Sequence, residues 1–433
     1  MRRTLYMTLL LMLSVAARAQ VSYFPPVSGT GWDTTAPSQL GWCQDRIDSL
    51  YSYLADHGTS GFVILKDGRI VLERYFGTFT RDSIHVWASA GKSLTSTLTG
   101  IAQQEGLLHL TDTVSDILGQ GWTSADTQQE RHITVRHLIT MTSGLDDNPT
   151  GGTCSNTSTT PACLQYLAPP DTRWAYHTGA YRKMEDVLAT VSGQTYNNFT
   201  ASRLGTAIGM HGLWVGYEYY SVVRDAARFG LLALNRGIWA TDTILRDTAY
   251  YRHMISSSQA FNPSYGYLWW LNGQSSYMAP GLQLVYNGAL IPNAPADMYA
   301  ALGKNDQKIY VVPSQQMVVV RMGASAYGVA AAFSPFDSVL WDHINMLPCT
   351  NTGVTYTGQD QNILKVSPNP TTGYITVQSG QPLHSLCIQN MISETVLTGD
   401  HSGTMDLSSL APGIYIVTAV TPYGRLVQRV VKE

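Results

Sequence analysis

The sequence is short of charge. Lys, Arg, Asp and Glu make up 13% of its 433 residues, and 27 basic against 30 acidic side chains leave a net charge of −3. Nucleic-acid binders carry a basic stripe, so no polyanionic partner is expected. Metal-ligand spacings are missing as well: there is no Cys-x-x-Cys and no His-x-x-x-His, and therefore no metal site is expected. Past the first nineteen residues nothing approaches the ~20 apolar residues of a membrane span. Lysine is scarce. Of the seven in the chain, only Lys92 follows a serine by three positions.

The N-terminal segment has the pattern of a signal peptide over residues 1–19. Arg2 and Arg3 give it a positive start, "LYMTLLLMLSV" is an apolar stretch too short to span, and "ARA" before Gln20 is a small-x-small cleavage site. Export follows, and export permits disulfides. Five cysteines are available. Cys154 and Cys163 flank the polar loop "SNTSTTPA", and Cys43 and Cys349 lie at the two ends of the largest folded segment. Those two pairs are the candidate disulfides, although connectivity is not readable from spacing. Cys387 is then left as an expected buried thiol. With 44% hydrophobic residues the chain can bury a large core, to which most of its ten Trp and 25 Tyr are assigned.

Hydrophobic periodicity predicts the order of elements. Residues 44–57 repeat apolar side chains at helical spacing, and "GFVILKDGRIVLERYFG" is a hairpin turning at Asp67-Gly68. Helical patterns and polar loops fill residues 89 to 256. The period then returns to two in "YGYLWWL", "DMYAALG" and "KIYVVPSQQMVVVRMG", and a last helix, "FSPFDSVLWDHINML", ends near Cys349. This is an α+β arrangement: one antiparallel sheet with the terminal helices packed on a face, and a helical lobe inserted between strands. A cleft between sheet and lobe is the expected place for a site, shaped by the loops at 146–175 and 257–300. Residues 350–362 are polar, small and nearly uncharged, a linker. Beyond them, over 363–433, short strands such as "GYITV", "LCIQN" and "GIYIVTAV" predict a small β-sandwich. The expected domains are thus 1–19, 20–349, 350–362 and 363–433.

"WASAGKS" carries the chemistry. Positions i and i+3 share a helix face, so Ser89 and Lys92 come within reach of each other at a helix start. A serine hydroxyl needs a base to become a nucleophile, and a lysine serves when burial lowers its pKa. The helix N-terminus offers N–H groups suited to an oxyanion. The competing reading has Ser89 as an N-cap and Lys92 in solvent. Against it, Leu94, Leu98, Ile101 and Ala102 make a buried face behind the pair, and an idle lysine at such a place is costly.

"ASAGKS", followed by "GLLHLTDTVSDIL" and "ITVRHLITMTSGL", resembles the serine β-lactamase and penicillin-binding superfamily over roughly residues 44 to 347. The nearest branch is the class C-like group with 6-aminohexanoate-dimer hydrolases and β-lactamase-fold esterases. The resemblance implies that fold and a serine hydrolase of ester or amide bonds that needs no cofactor. It gives Tyr176 of "WAYHTGAY" a share in proton relay with Ser89 and Lys92. Thr178 and Gly303 fall at substrate-binding positions, and the backbone N–H groups of Ser89 and Lys304 at the oxyanion hole. Two departures stand out. Thr178 replaces the usual Asn, and Ala301-Leu302-Gly303 lacks the usual cation, which disfavours a β-lactam. Other readings are a β-lactamase or D-amino-acid peptidase acting on cell-wall-like substrates, and a non-catalytic surface binding protein. His177 is read as a loop or supporting residue. The tail, "VSPNPTTGYITV" then "MDLSSLAPGIYIVTAV", resembles a type IX secretion sorting domain. It implies the secretion machinery as partner and a secreted or cell-surface location in a Gram-negative bacterium.

Overall fold

The strands Gln307–Val312 and Met317–Gly323 are buried at every position, so both faces of their sheet must be covered. The computed structural model describes residues 22–328, 331–349, 364–379, 383, 385–390, 394–399, 403–421 and 424–433. The signal segment and the whole of the expected linker lie outside them. The chain divides into two compact units, one ending at Cys349 and the other beginning at Thr350.

The first unit is built on a six-stranded antiparallel sheet. Across it the strands run Arg69–Tyr75, Thr59–Lys66, Met317–Gly323, Gln307–Val312, Tyr299–Gly303 and Trp270–Leu271. Asp67 and Gly68, at φ 52° and 81°, form the expected turn, since a tight hairpin needs positive φ at both central positions. Successive strand residues point to opposite faces. Ile309 faces the helix Val223–Leu234, where Gly230 permits contact so close that a Cβ there would sit 3.0 Å from Ile309 and 2.5 Å from Val318. Tyr310 faces the other way and donates to Asp337 on the helix Pro335–Asn345 at 2.5 Å.

That last helix shares its face with the first, Gln44–Asp56, where Tyr53 stacks on Phe336 at 5.5 Å. A buried ionic cluster fastens the face. Lys308 donates to Asp337 at 2.9 Å and to the Ala332 carbonyl at 2.7 Å, with Asp306 at 3.2 Å. Cys43 and Cys349 are bonded and join the outer ends of the two helices, and Cys154 is bonded to Cys163. Between the second and third strands in chain order, residues 76 to 269 form the inserted lobe, helical as expected. It also contains small sheets, among them His85–Val86 paired with Glu218–Ser221.

In the second unit, Leu364–Ser367, Tyr374–Ser379 and Thr404–Asp406 make one sheet. Thr395–Gly399, Ser385–Gln389, Gly413–Thr421 and Gly424–Lys432 make another. Their inward residues, including Ile375, Val377, Ile388, Val417 and Val430, close one core, a small β-sandwich. Cys387 corrects the expectation of a buried thiol. It alternates with buried Leu386 and Ile388, so its side chain falls on the outer face and is half-buried.

Candidate active site

The short strand His85–Val86 delivers the chain to Trp87, which is buried. The Trp87 N–H donates to the Tyr219 carbonyl at 2.8 Å and its indole N–H to Ser221 Oγ at 2.8 Å. The next residue, Ala88, has φ 49°, a conformation that costs a residue with a Cβ about 1–2 kcal/mol and is concentrated at functional turns. Ala88–Ala90 form one 3₁₀ turn carrying Ser89, and the helix Gly91–Gln104 follows, buried from Gly91 to Ala102. No side chain caps the start of that helix, which removes the N-cap reading of Ser89.

Lys92 is 4% exposed and its Nζ lies 2.9 Å from Ser89 Oγ. Around the amine stand the rings of Tyr176 and Tyr181, at 5.1 and 4.6 Å. Among the described residues no carboxylate forms an ion pair with it. Burial therefore dominates and brings the Lys92 pKa down to about 7. Glu218 opposes the shift; Arg182 and Lys304 add to it. Tyr176 is held well above the usual phenol range, first by its burial, with hydrogen bonding to Ser89 working the other way. At neutral pH the site thus holds a lysine that can be uncharged and a tyrosine that keeps its proton.

Tyr176 is fixed from two sides. Its ring stacks on Trp270 at 5.9 Å, beside Tyr265 and Trp174, so some of the aromatic residues assigned to the core also frame the site. Its backbone is held by Asn156, from the loop that Cys154–Cys163 closes. The Asn156 amide donates to the Tyr176 carbonyl at 3.0 Å and to the Asp147 carbonyl at 2.9 Å. Its Oδ1 accepts from the Thr178 N–H at 3.0 Å, and its own carbonyl accepts from the Gly179 N–H at 2.6 Å. His177 caps the helix Thr178–Ser192, accepting from the Ala180 N–H at 3.2 Å. Burial pulls its pKa down to about 4, so it is neutral.

Ser89, Tyr176 and Lys304 line one cleft of about 440 Å³, with Ala279, Pro280, Leu282, Ala331, Ala332 and Phe333 as the remaining wall. Thr178 and Gly303 are not among the lining residues. Thr178 is the first residue of its helix, and its N–H is spent on Asn156. Gly303 lies behind the turn that carries Ser89, where a Cβ would sit 2.3 Å from the Trp87 carbonyl oxygen and 3.1 Å from the Ala90 nitrogen. That approach brings Lys304 to Ser89. Sequence reasoning missed Asn156 and the wall at 331–333. The only signal for Asn156 was its place inside the cysteine-closed loop. The described residues contain no cluster of His, Cys, Asp and Glu able to hold a metal, and no helix long and apolar enough to cross a membrane.

Comparison with known proteins agrees with this architecture. The family model "Beta-lactamase" matches residues 48–336, and "Secretion system C-terminal sorting domain" matches residues 365–433. Penicillin-binding protein 4 of Amycolatopsis lactamdurans is 27% identical over 218 residues, which are 46% of this chain and 54% of that protein. The chain thus spans about half the length of this curated relative. Two solved structures share the fold. One, from Bacillus anthracis, is provisionally a 6-aminohexanoate-dimer hydrolase (TM-score 0.57, 19% identity, covering 76% of this chain and 91% of that one). The other is the class C beta-lactamase of Rhodobacter sphaeroides (TM-score 0.51, 14% identity, covering 70% and 99%). The C-terminal domain marks the protein for type IX secretion, to the cell surface or the medium of a Gram-negative bacterium. The chain belongs to the beta-lactamase family, whose members are serine hydrolases, and it carries a sorting domain at its C-terminal end.

Proposed function

We propose that the protein is an exported hydrolase that cleaves an ester or amide bond through an acyl-enzyme on Ser89. The observation that carries this reading is the 2.9 Å contact between Ser89 Oγ and the buried Lys92 amine, with its pKa near 7. Ser89 Oγ attacks the substrate carbonyl carbon while Lys92 takes its proton. The N–H groups of Ser89 and Lys304 hold the oxyanion. As the intermediate collapses, the bond to the leaving group breaks. The proton passes from Lys92 through the Tyr176 hydroxyl to the departing oxygen or nitrogen. Water then attacks the acyl-enzyme, Lys92 again acting as base, and frees the acid.

A carboxylesterase or small-amide hydrolase fits better than a true β-lactamase. Ala301-Leu302-Gly303 brings no cation to the site, and Thr178 brings no amide. The hydrolase domain spans 20–349, and 363–433 serve delivery alone. A panel of p-nitrophenyl esters, short amides and a chromogenic cephalosporin tests the reading on wild type, Ser89→Ala and Lys92→Met. Ester or amide turnover is expected in wild type and a loss of at least ~10³-fold in both variants. Turnover by Ser89→Ala at the wild-type rate would refute the assignment. Faster hydrolysis of the cephalosporin than of any ester would favour a β-lactamase.

A further inference from the structure

The cleft is polar only at its reacting end. Beyond Ser89, Tyr176 and Lys304 its wall is Ala279, Pro280, Leu282, Ala331, Ala332 and Phe333, with no group to solvate a second charge or to pair with one. Lys304 belongs to the reacting end, since its charge acts on the Lys92 amine.

Past Leu282 of that wall, the chain carries further exposed apolar residues. Leu282, Leu284 and Val285 are 47%, 56% and 51% exposed. They lie on the connection and second strand of a hairpin formed by Ser276–Met278 and Val285–Asn287. The hairpin is anchored. Tyr277 stacks on Tyr286 at 5.3 Å and meets the Phe333 ring edge-on at 5.8 Å, and Gln283 donates to the Trp174 carbonyl at 3.1 Å. Three large apolar side chains are therefore held in water, Leu282 on the wall of the cleft and the other two within three residues of it in the chain. Covering them is favourable, and exposed apolar surface beside a cleft marks binding sites.

We propose that the substrate of this site carries an uncharged apolar chain of medium length, which runs from the scissile carbonyl along Phe333, Pro280 and Leu282 toward Leu284. The inference rests on Ser89 being the nucleophile. It assigns the substrate class: esters or amides of aliphatic acids, or of aliphatic alcohols or amines, according to which arm enters the cleft.

Two ester series test it on the full-length protein. One varies the acid from acetate through hexanoate to octanoate with p-nitrophenol as leaving group; the other varies the alcohol of acetate esters. In one series kcat/KM is expected to rise roughly three- to fourfold per buried methylene, on the order of 100-fold from acetate to hexanoate in the acid series if that arm is the one bound. Leu282→Ser, at a half-exposed position where folding is little affected, is expected to lower the long-to-short ratio several-fold. Series that are flat or falling in both arms, yet abolished by Ser89→Ala, overturn this inference alone. Hydrolysis that survives Ser89→Ala overturns the Ser89 reading and this inference with it.

Discussion

Lys92 is where function and stability pull apart. Its pKa in the folded chain, about 7, lies below the ordinary 10.5, so between those values the unfolded chain binds more protons. Unfolding free energy then rises with pH across that window. The burial penalty is present in full below about pH 7 and has gone above the unfolded pKa. At ~1.4 kcal/mol per pK unit, the penalty is on the order of a few kcal/mol after relaxation. Lys92→Met is therefore expected to be inactive yet to melt at a higher temperature than wild type, with a larger gain at pH 6 than at pH 10. Thermal unfolding at the two pH values checks this, and a variant less stable than wild type at pH 6 contradicts it. This pair was legible in the sequence because a contact between positions i and i+3 is local and needs only a helix start. The raised pKa of Tyr176 was not legible, since it depends on Trp270 and Tyr265, about ninety residues away.

At the scale of elements, the site depends on segments that are themselves remote from the reacting atoms. The Cys154–Cys163 loop reaches the junction between Tyr176 and its helix through three hydrogen bonds of Asn156. Asn156→Ala is expected to lower kcat by ~10–100-fold with little change in KM, because a misplaced Tyr176 slows proton delivery more than it weakens binding. Steady-state kinetics separate the two, and a change confined to KM speaks against a positioning role. The cluster of Lys308, Tyr310 and Asp337 fastens the last helix, and through the Ala332 carbonyl it fixes one wall of the cleft. Asp337→Ala leaves a buried cation short of a partner and is expected to cost about 3 kcal/mol in urea unfolding. A cost below ~1 kcal/mol would show that the cluster does little.

The elements themselves were readable where local chemistry decides them: the Asp67-Gly68 turn, the β-branched runs within 307–323, the helical run at 223–234. The shape of the cleft was not. The wall at 279–282 lies in one of the two loops expected to shape it, but the conformation of that loop and its meeting with 331–333 are set only by the tertiary fold. Cys387 shows the same limit from the other side. A β pattern was visible there, but which face of the strand pointed inward depended on pairing with Gly413–Thr421 and Thr395–Gly399.

On the scale of the whole molecule, two units have separate cores, and the proposed function gives them separate tasks. Among the described residues, those that line the Ser89 cleft all belong to the first unit. Deleting residues 363–433 is expected to leave kcat/KM of the purified protein within about twofold and to stop surface delivery in cells. A folded truncation that has lost hydrolysis would contradict the division of labour. The family and the sorting domain were recognisable from the chain because each rests on short motifs in fixed order. The substrate was not, because it is set by the cleft. What joins these scales is the claim that Ser89 is a nucleophile activated by a neutral Lys92. The most direct measurement is fluorophosphonate labelling of the folded protein from pH 5 to 9, with the adduct mapped by mass spectrometry. The expected result is a single adduct on Ser89 whose rate of formation climbs through pH about 7 as Lys92 loses its proton. An adduct on another residue, or a folded protein that never labels, would contradict it.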